Sequence, residues 1–564
     1  MKGRCIMFNN KMAKLLVLIT LLLVLFFSGC QGKIDQASDE TVFYSADLVY
    51  DTSVYKNDKD NSVKYLYVTV LGGGEYTLAD VKSDRHGSDD FEAVVDVVFQ
   101  EGNSEGPVAG YFGFGMKDSN ATMEIRGATS RFAGQKSFKV RLNRKMSPWK
   151  EIYTVNLNKQ PYDLIRVRNK LSFDYLEIIQ NITSIRTQFV NLFVKDLSEN
   201  NQETTFIDYG LFTLVEQPNR MFLRTRGLDI HGHMYKAEFF EFHRYEDSLR
   251  VQDDPEYNEY TFEEILSIRG EEDHYKLISM LDDVNNYEIP INLVIDKHFN
   301  RNNYLTWLAV NILFENIDTN SQNFFLYSPS NNNTWYFVPW DYDGTWGFYN
   351  QIGTTREERR PPWKIGVSNY WGVVLHRRFL QEPGNVQALQ DKMQLLLDTI
   401  ITEERTITFL KSYYPIVSKF VNQLPDSEHM KEEYFETEFW RITNEPQNNF
   451  DKFIKAKENP MPIFLGIPYS RDDKLVFRWS ESFDLQGDVI LYDFQVSDSP
   501  DFMNIVVEQI GLDITEISIE PLEADKYYWR VTVRDDQENT QTAFDIYRDE
   551  EGLRFFGVRT FTVN

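Results

Sequence analysis

The sequence predicts an α+β protein that ends in an all-β sandwich, and three observations predict it. Strand-like segments separated by Gly, Asn and Asp turns crowd residues 64–142. Helical segments with short strands between them then run from residue 162 to about Asn448. Near Pro460 the character changes again: helical pattern stops, and apolar residues alternate with polar ones to the end of the chain.

The chain opens on a basic stretch, Lys2, Arg4, Lys11 and Lys14, followed by the apolar run Leu15–Phe27 and then Ser28-Gly29-Cys30. This is the layout of a secretory signal, and the apolar run is short for an ordinary spanning helix. Small residues directly before a cysteine resemble the lipobox of bacterial lipoproteins. The expected organisation is therefore a signal peptide over 1–29 and a polar tether over 30–42 lipidated at Cys30, with an uncleaved N-terminal anchor as the alternative. Either arrangement places the protein on a cell membrane, facing outward. The other cysteine, Cys5, lies inside the signal, so the mature chain has no disulfide and relies on core burial.

Net charge is −27, and loss of the four leader cations takes it to −31. So acidic a chain is a poor partner for nucleic acid or anionic headgroups. Acidic runs such as Glu271-Glu272-Asp273 read as solvated surface.

The expected strands are KYLYVTVL, AVVDVVFQ, VAGYFGFG, ATMEIRG and KSFKVRL, then QFVNLFV and YGLFTLVEQ beyond a helix over 162–180. Tyr304–Phe314 is apolar nearly all round, which marks a buried helix. NFFLY and WYFVPWD read as paired short strands, and Leu389, Met393, Leu396, Leu397 and Ile400 mark a further helix. The boundary near Pro460 divides a region 43–458 from a region 461–564, whose YYWRVTVRD and RTFTV segments resemble a fibronectin type III module.

Three segments carry chemistry. In ENIDTNSQNFFLY, Asp318 and Asn323 stand in the D-x-x-x-x-N spacing of a kinase catalytic loop, although Asn316-Ile317 replaces the usual His-Arg. In WYFVPWDYDGTWG an apolar strand ends on Asp341, Asp343 and Gly344, oxygen donors suited to Mg²⁺ or to capping a turn. In EIRGATSRFAGQKSFKVRLN, the Thr129 and Ser130 hydroxyls, Arg131 and the Gly127 backbone can donate to phosphate oxygens. Lys136 and Lys139 begin the next strand. There Phe138 and Val140 face the core, with Lys139 and Arg141 opposite. GYFGFG reads as a strand rather than a phosphate loop. His231 and His233 have no matching ligand pair nearby, and 356–364 (REERRPPWK) is a basic loop after the acids.

RGATSR, QKSFKVRL, PYDLIRVRNKLSFD, YGLFTLVEQ, HMYKAEF, the D-x-x-x-x-N loop and PWDYDGTWG occur in this order, and in that order they resemble the CotH family of atypical, spore-coat protein kinases. The resemblance implies a diverged two-lobed protein-kinase-like domain over 43–458, with a hinge after Val215-Glu216-Gln217. It implies Asp318 as catalytic base, Asn323 and Asp341 as metal ligands, and Asp343 as their helper. Arg126, Arg131 and Lys136 would attend the phosphates, with Lys139 as second choice to Lys136. Glu216 and Gln217 would lie near the adenine or brace the hinge. Lys236 matches a recurrent family lysine without an assigned role. The implied activity is phosphoryl transfer from ATP, with Mg²⁺ or another divalent cation, to a protein substrate at the cell or spore surface. A catalytically silent scaffold or binding lipoprotein is the alternative.

Overall fold

The computed structural model describes residues 47–56, 62–85, 92–199, 205–353 and 360–563. The signal, the tether and Cys30 lie outside the described residues.

The first sheet contains β1 (Lys64–Val70), β2 (Val95–Asn103), β3 (Gly106–Pro107), β4 (Ala121–Arg126), β5 (Ser137–Leu142), β6 (Thr154–Asn158), β7 (Thr187–Asp196) and β8 (Ile207–Glu216). Its order is β1-β7-β8-β6-β5-β4-β2-β3, and β1 also pairs with β2. β1 runs antiparallel to β2 (Val68 opposite Phe99) and parallel to β7 (Val68 opposite Val194). Seven strands therefore close into a barrel, with β3 as a short hairpin arm on β2. Leu66, Val68, Val97, Phe99, Phe138, Val140, Leu157, Leu192 and Phe212 belong to its buried apolar cluster. The alternating pattern of these segments serves this interior.

Barrel closure corrects the expected two-lobed kinase-like fold. An open lobe sheet leaves two strand edges, whereas both edges of β1 are paired here, so the ring has no free end. The α+β class stands, and the region beyond Pro460 is β-rich.

Two local expectations also change. GYFGFG is a run of turns, because Gly110, Gly113 and Gly115 all have positive φ, and a Cβ on Gly113 would meet the Phe99 carbonyl oxygen at 2.2 Å. The helix expected from 162 begins only at Arg168. Before it, Arg166 has φ 57° and the Asp163 carboxylate accepts from the backbone N–H groups of Ile165 and Arg168. That is turn chemistry, and it holds the chain out of the helix.

A second sheet follows, ordered β10-β9-β11-β12, from β9 (His233–Ala237), β10 (Leu266–Ile268), β11 (Phe324–Ser328) and β12 (Tyr336–Pro339). It packs on the helix Arg301–Leu313, buried from Asn303 onward. Trp307 stacks on Phe337 at 4.5 Å between ring centroids. This helix delivers the chain to the acid-bearing loop at Glu315–Asn323. Further helices, Pro383–Thr399, Glu403–Val421, Glu432–Arg441 and Glu445–Ala456, complete the large core.

Beyond Pro460, β13 (Tyr469–Arg471), β14 (Lys474–Arg478), β15 (Leu491–Ser497), β16 (Ile505–Leu512), β17 (Glu516–Ile519), β18 (Lys526–Arg534) and β19 (Thr540–Thr542) are joined by Val558–Thr562. One sheet is β13-β14-β17; another is β16-β15-β18-β19, with Val558–Thr562 on β18. Phe477, Phe494 and Trp529 fill their shared core. All of these elements belong to one compact unit, Ser45–Asn564.

Candidate active site

The site is built on the β11–β12 hairpin, in which Phe324 pairs with Pro339. That register sets Asn323, just before β11, beside the Trp340-Asp341 segment that leaves β12. Both flanking residues have left-handed backbone, Asn323 at φ 61° and Asp341 at φ 58°. Asn and Asp tolerate this region better than most residues, yet it carries a cost of about 1–3 kcal/mol and gathers at functional sites. β9 lies on the other side of β11, with Lys236 opposite Phe325.

Asp318 lies in the loop that leaves the buried helix. Its Oδ2 accepts from the Tyr349 hydroxyl at 2.9 Å and its Oδ1 from Lys364 Nζ at 3.3 Å. Its side chain is 41% exposed, so it is open to a substrate. The loop is tied to the hairpin: Asn323 Nδ2 donates to the Asp318 carbonyl at 3.3 Å, and Asn316 Nδ2 to the Asp341 carbonyl at 3.4 Å.

The barrel supplies the third wall. Arg126, the last residue of β4, donates to Asn158 Oδ1 at the end of β6, and its guanidinium sits 5.4 Å from the Trp340 ring. Burial pushes this guanidinium down, against the fields of Asp341 and Asp343. Burial likewise raises the Asp341 carboxyl, opposed by Arg126 and Lys236 and reinforced by Asp318. Asp343 is raised well above the carboxylate range by burial first, then by Asp341 and Asp163, with Arg126 opposing and Asp318 reinforcing. Asp318, Asp341 and Asp343 thus share one electrostatic site, in which the Asp341 and Asp343 carboxyls stay raised although Arg126 opposes both. A hard divalent cation fits this set, because the carboxylates and the Asn323 amide carbonyl are oxygen donors and the Asp341 and Asp343 carboxylates raise one another's energy.

Asp163 is not a free member. The fully buried Arg168 pairs with both Asp163 and Glu438, and donates to the Trp346 carbonyl at 3.3 Å. PYDLIRVRNK thereby braces the segment that follows Asp343.

The remaining sequence-predicted residues have other partners. Arg131 is buried, with Asp84 at 3.5 Å and Glu92 at 3.4 Å. Lys136 Nζ donates to the Arg131 carbonyl at 2.7 Å, and Lys139 pairs with Glu124 at 2.8 Å, as Arg141 does at 2.7 Å. Thr129 is exposed, and Ser130 Oγ donates to the Arg126 carbonyl at 3.3 Å. Glu216 is buried between Arg186 and Arg226, each 2.8 Å or less away. Burial works to raise its carboxyl, but Arg226 and Arg186 prevail and hold it down at about 2. Gln217 Oε1 accepts from Asn156 Nδ2 at 3.1 Å.

The structure adds Asn158, Tyr349 and Lys364 to the site, and gives Lys236 a place in it. Lys364 lies in the basic loop that the sequence marks after the acids. No sequence signal singles out Asn158 or Tyr349, since each reaches the site only through tertiary pairing.

The family model described as CotH kinase protein matches residues 123–452, a span from β4 through the last long helix that holds every residue of the acid site. The chain is also similar to inner spore coat protein H of Bacillus subtilis (strain 168), 27% identical over 199 residues, covering 34% of this chain and 50% of that protein. The chain thus spans about half the length of this curated relative. With more than half of its residues matched by the family model, the chain belongs to the CotH kinase protein family.

Proposed function

We propose that this protein transfers the γ-phosphoryl group of ATP to a hydroxyl side chain of a protein at the cell or spore surface. The observation that carries the reading is the convergence of Asp318, Asp341 and Asp343 beside Arg126, in a chain of this family. The spore surface enters because the relative is a spore coat protein.

In this reading Asp341, Asp343 and Asn323 hold Mg²⁺, which when bound offsets the negative charge of the phosphates. Arg126 donates to phosphate oxygens in place of Asn158. Asp318, half-exposed and oriented by Tyr349, accepts the proton of the acceptor hydroxyl. The hydroxyl oxygen forms the new P–O bond, the bond to the β,γ-bridging oxygen breaks, and its electron pair leaves with ADP. Thr129 with its exposed hydroxyl, and Ser130, Arg131, Lys136 and Lys139, form a second tier, the last four reaching the phosphates only by exchanging their present partners. Glu216 and Gln217 brace the end of β8 rather than contact the reacting atoms. Cys30 carries the lipid that anchors the protein on the extracytoplasmic face of the membrane. The net charge of −27 argues against nucleic acid as a partner.

A scaffold without turnover is favoured by one observation, the engagement of Arg131 and Lys139 in ion pairs. Incubation of the protein with labelled ATP, Mg²⁺ and its own surface proteome separates the two. Label transfer that disappears in Asp318→Ala supports the kinase; ATP binding without transfer to any protein supports the scaffold.

A further inference from the structure

Three carboxylates outside the acid site come together in the β-rich region. Asp484 and Asp488 lie in the loop before β15, and Asp535 directly follows β18. Each brings an oxygen to within 4.8 Å of the others. β15 and β18 are paired, with Leu491 opposite Arg534, so the two loops leave the same end of the sheet.

Asp484 and Asp535 are almost fully enclosed, at 6% and 0% exposure. Asp535 is held in place: its Oδ1 accepts from the Gln537 and Asn539 amides at 2.9 and 2.8 Å, and its Oδ2 from Asn539 Nδ2 at 2.8 Å, which leaves Oδ2 a further acceptor position. Asp484 Oδ1 accepts from the Gln486 and Asp488 amides at 2.8 and 3.1 Å, whereas its buried Oδ2 has no hydrogen-bond partner. Among the described residues no Lys, Arg or His forms an ion pair with any of the three. A buried carboxylate oxygen without donor or counter-ion is costly, and such a group calls for a ligand.

We propose that Asp484, Asp488 and Asp535 bind a calcium ion, with the unpartnered Asp484 Oδ2 as its most enclosed ligand. The donors are all oxygen, which selects a hard cation, and Ca²⁺ with ligands at about 2.3–2.6 Å bridges oxygens at this spacing. Asp484 and Asp535 are already fixed by loop amides, so they cannot rearrange into the strict octahedron at about 2.0–2.1 Å that Mg²⁺ requires. The remaining ligand positions fall to water on the half-exposed Asp488 side.

The position gives the ion a consequence. The residues just before Asp484 attach the β-rich region to the helices. Met461 N–H donates to the Phe483 carbonyl at 2.8 Å, Ser482 Oγ donates to the Met461 carbonyl at 2.5 Å, and the Phe483 ring lies 5.5 Å from that of Trp371. Calcium would lock this segment to the β18 loop and stiffen the attachment.

The test is thermal unfolding and calorimetry of the full chain, stripped with EDTA and titrated with Ca²⁺ or with Mg²⁺ alone. Wild type should gain several degrees with Ca²⁺ and far less with Mg²⁺ at the same concentration. Asp484→Asn should bind Ca²⁺ at least about tenfold more weakly. Without metal it should be no less stable than wild type, because one of three clustered charges is gone. Asp488→Asn, at the more exposed ligand, is the second variant should Asp484→Asn misfold. Asp343→Asn, in the other acid site, should keep the full calcium response. No calcium response in wild type, an unchanged response in both ligand variants, or one lost only in Asp343→Asn would overturn the proposal. An equal response to Mg²⁺ in Asp343→Asn, where the other acid site is disabled, would overturn its choice of ion.

Discussion

Lys364 Nζ stands 3.3 Å from Asp318 Oδ1, so the residue proposed as base is held by a cation from the segment after Asp341 and Asp343. The pair is partly exposed, at 23% for Lys364 and 41% for Asp318, and such pairs add only about 0–1 kcal/mol to stability. Its use is orientation. Lys364→Gln should leave the unfolding temperature and Mg²⁺-ATP affinity nearly unchanged and lower the transfer rate several-fold. A rate equal to wild type at saturating ATP would show that the contact does not position Asp318.

Asp343 predicts a pH dependence of unusual sign. Its folded carboxyl is raised above the ordinary 3.8 by burial and by Asp341, so the folded state holds that proton more tightly than the unfolded chain. Stability of the metal-free protein should therefore fall as pH rises from about 3.8 through the folded value, the reverse of an ion-paired carboxylate. Asp343→Asn should remove this loss, raise the metal-free unfolding temperature at neutral pH, and abolish any stabilisation by Mg²⁺. Parallel unfolding curves of the two proteins from pH 5 to 8 without metal would contradict the assignment.

Glu216 should behave in the opposite way. Arg226 and Arg186 outweigh its burial and hold the carboxyl at about 2 against an ordinary 4.5. A depressed carboxylate contributes stability that is complete above the unfolded value and lost as pH falls toward the folded one. The contribution is about 3 kcal/mol for a shift of this size. Glu216→Gln, which leaves Arg226 buried without its counter-charge, should destabilise by about 3–5 kcal/mol at neutral pH. Denaturant titrations of both proteins should converge as pH falls from about 4.5 toward 2, where wild-type Glu216 also becomes neutral.

Local patterns carried much of this architecture in the sequence. KSFKVRL alternates because one side of its strand enters a packed interior, YGLFTLVEQ is nearly continuously apolar because its strand is buried on both sides, and Tyr304–Phe314 is apolar all round because the helix is buried. Closure of the barrel was illegible, since it depends on β1 pairing with strands about thirty and about 125 residues away. Periodicity reports which side chains are buried and says nothing of which edges meet. GYFGFG misleads for a related reason: its aromatic residues suit a strand, but the positive φ of three glycines sends the chain through turns. In the site, Asp318, Asn323, Asp341 and Asp343 were readable from spacing and order. Arg126 was readable only through the family resemblance. Arg131, Lys136 and Lys139 carry the right chemistry for phosphate, but whether such a cation is free or paired depends on acids such as Glu124 on the neighbouring strand and Asp84 at the end of a distant helix. That information lies in the fold.

The central claim is that Asp341 belongs to the cation and nucleotide, and Asp318 to the acceptor hydroxyl. Titration calorimetry of ATP with Mg²⁺ on wild type, Asp341→Asn and Asp318→Ala tests it most directly. Metal-dependent binding is expected in wild type, with at least about a tenfold loss of affinity in Asp341→Asn and wild-type affinity in Asp318→Ala. The same Asp318→Ala protein should lose about a hundredfold to ten-thousandfold in transfer rate. Absence of nucleotide binding by wild type with any divalent cation would contradict the account.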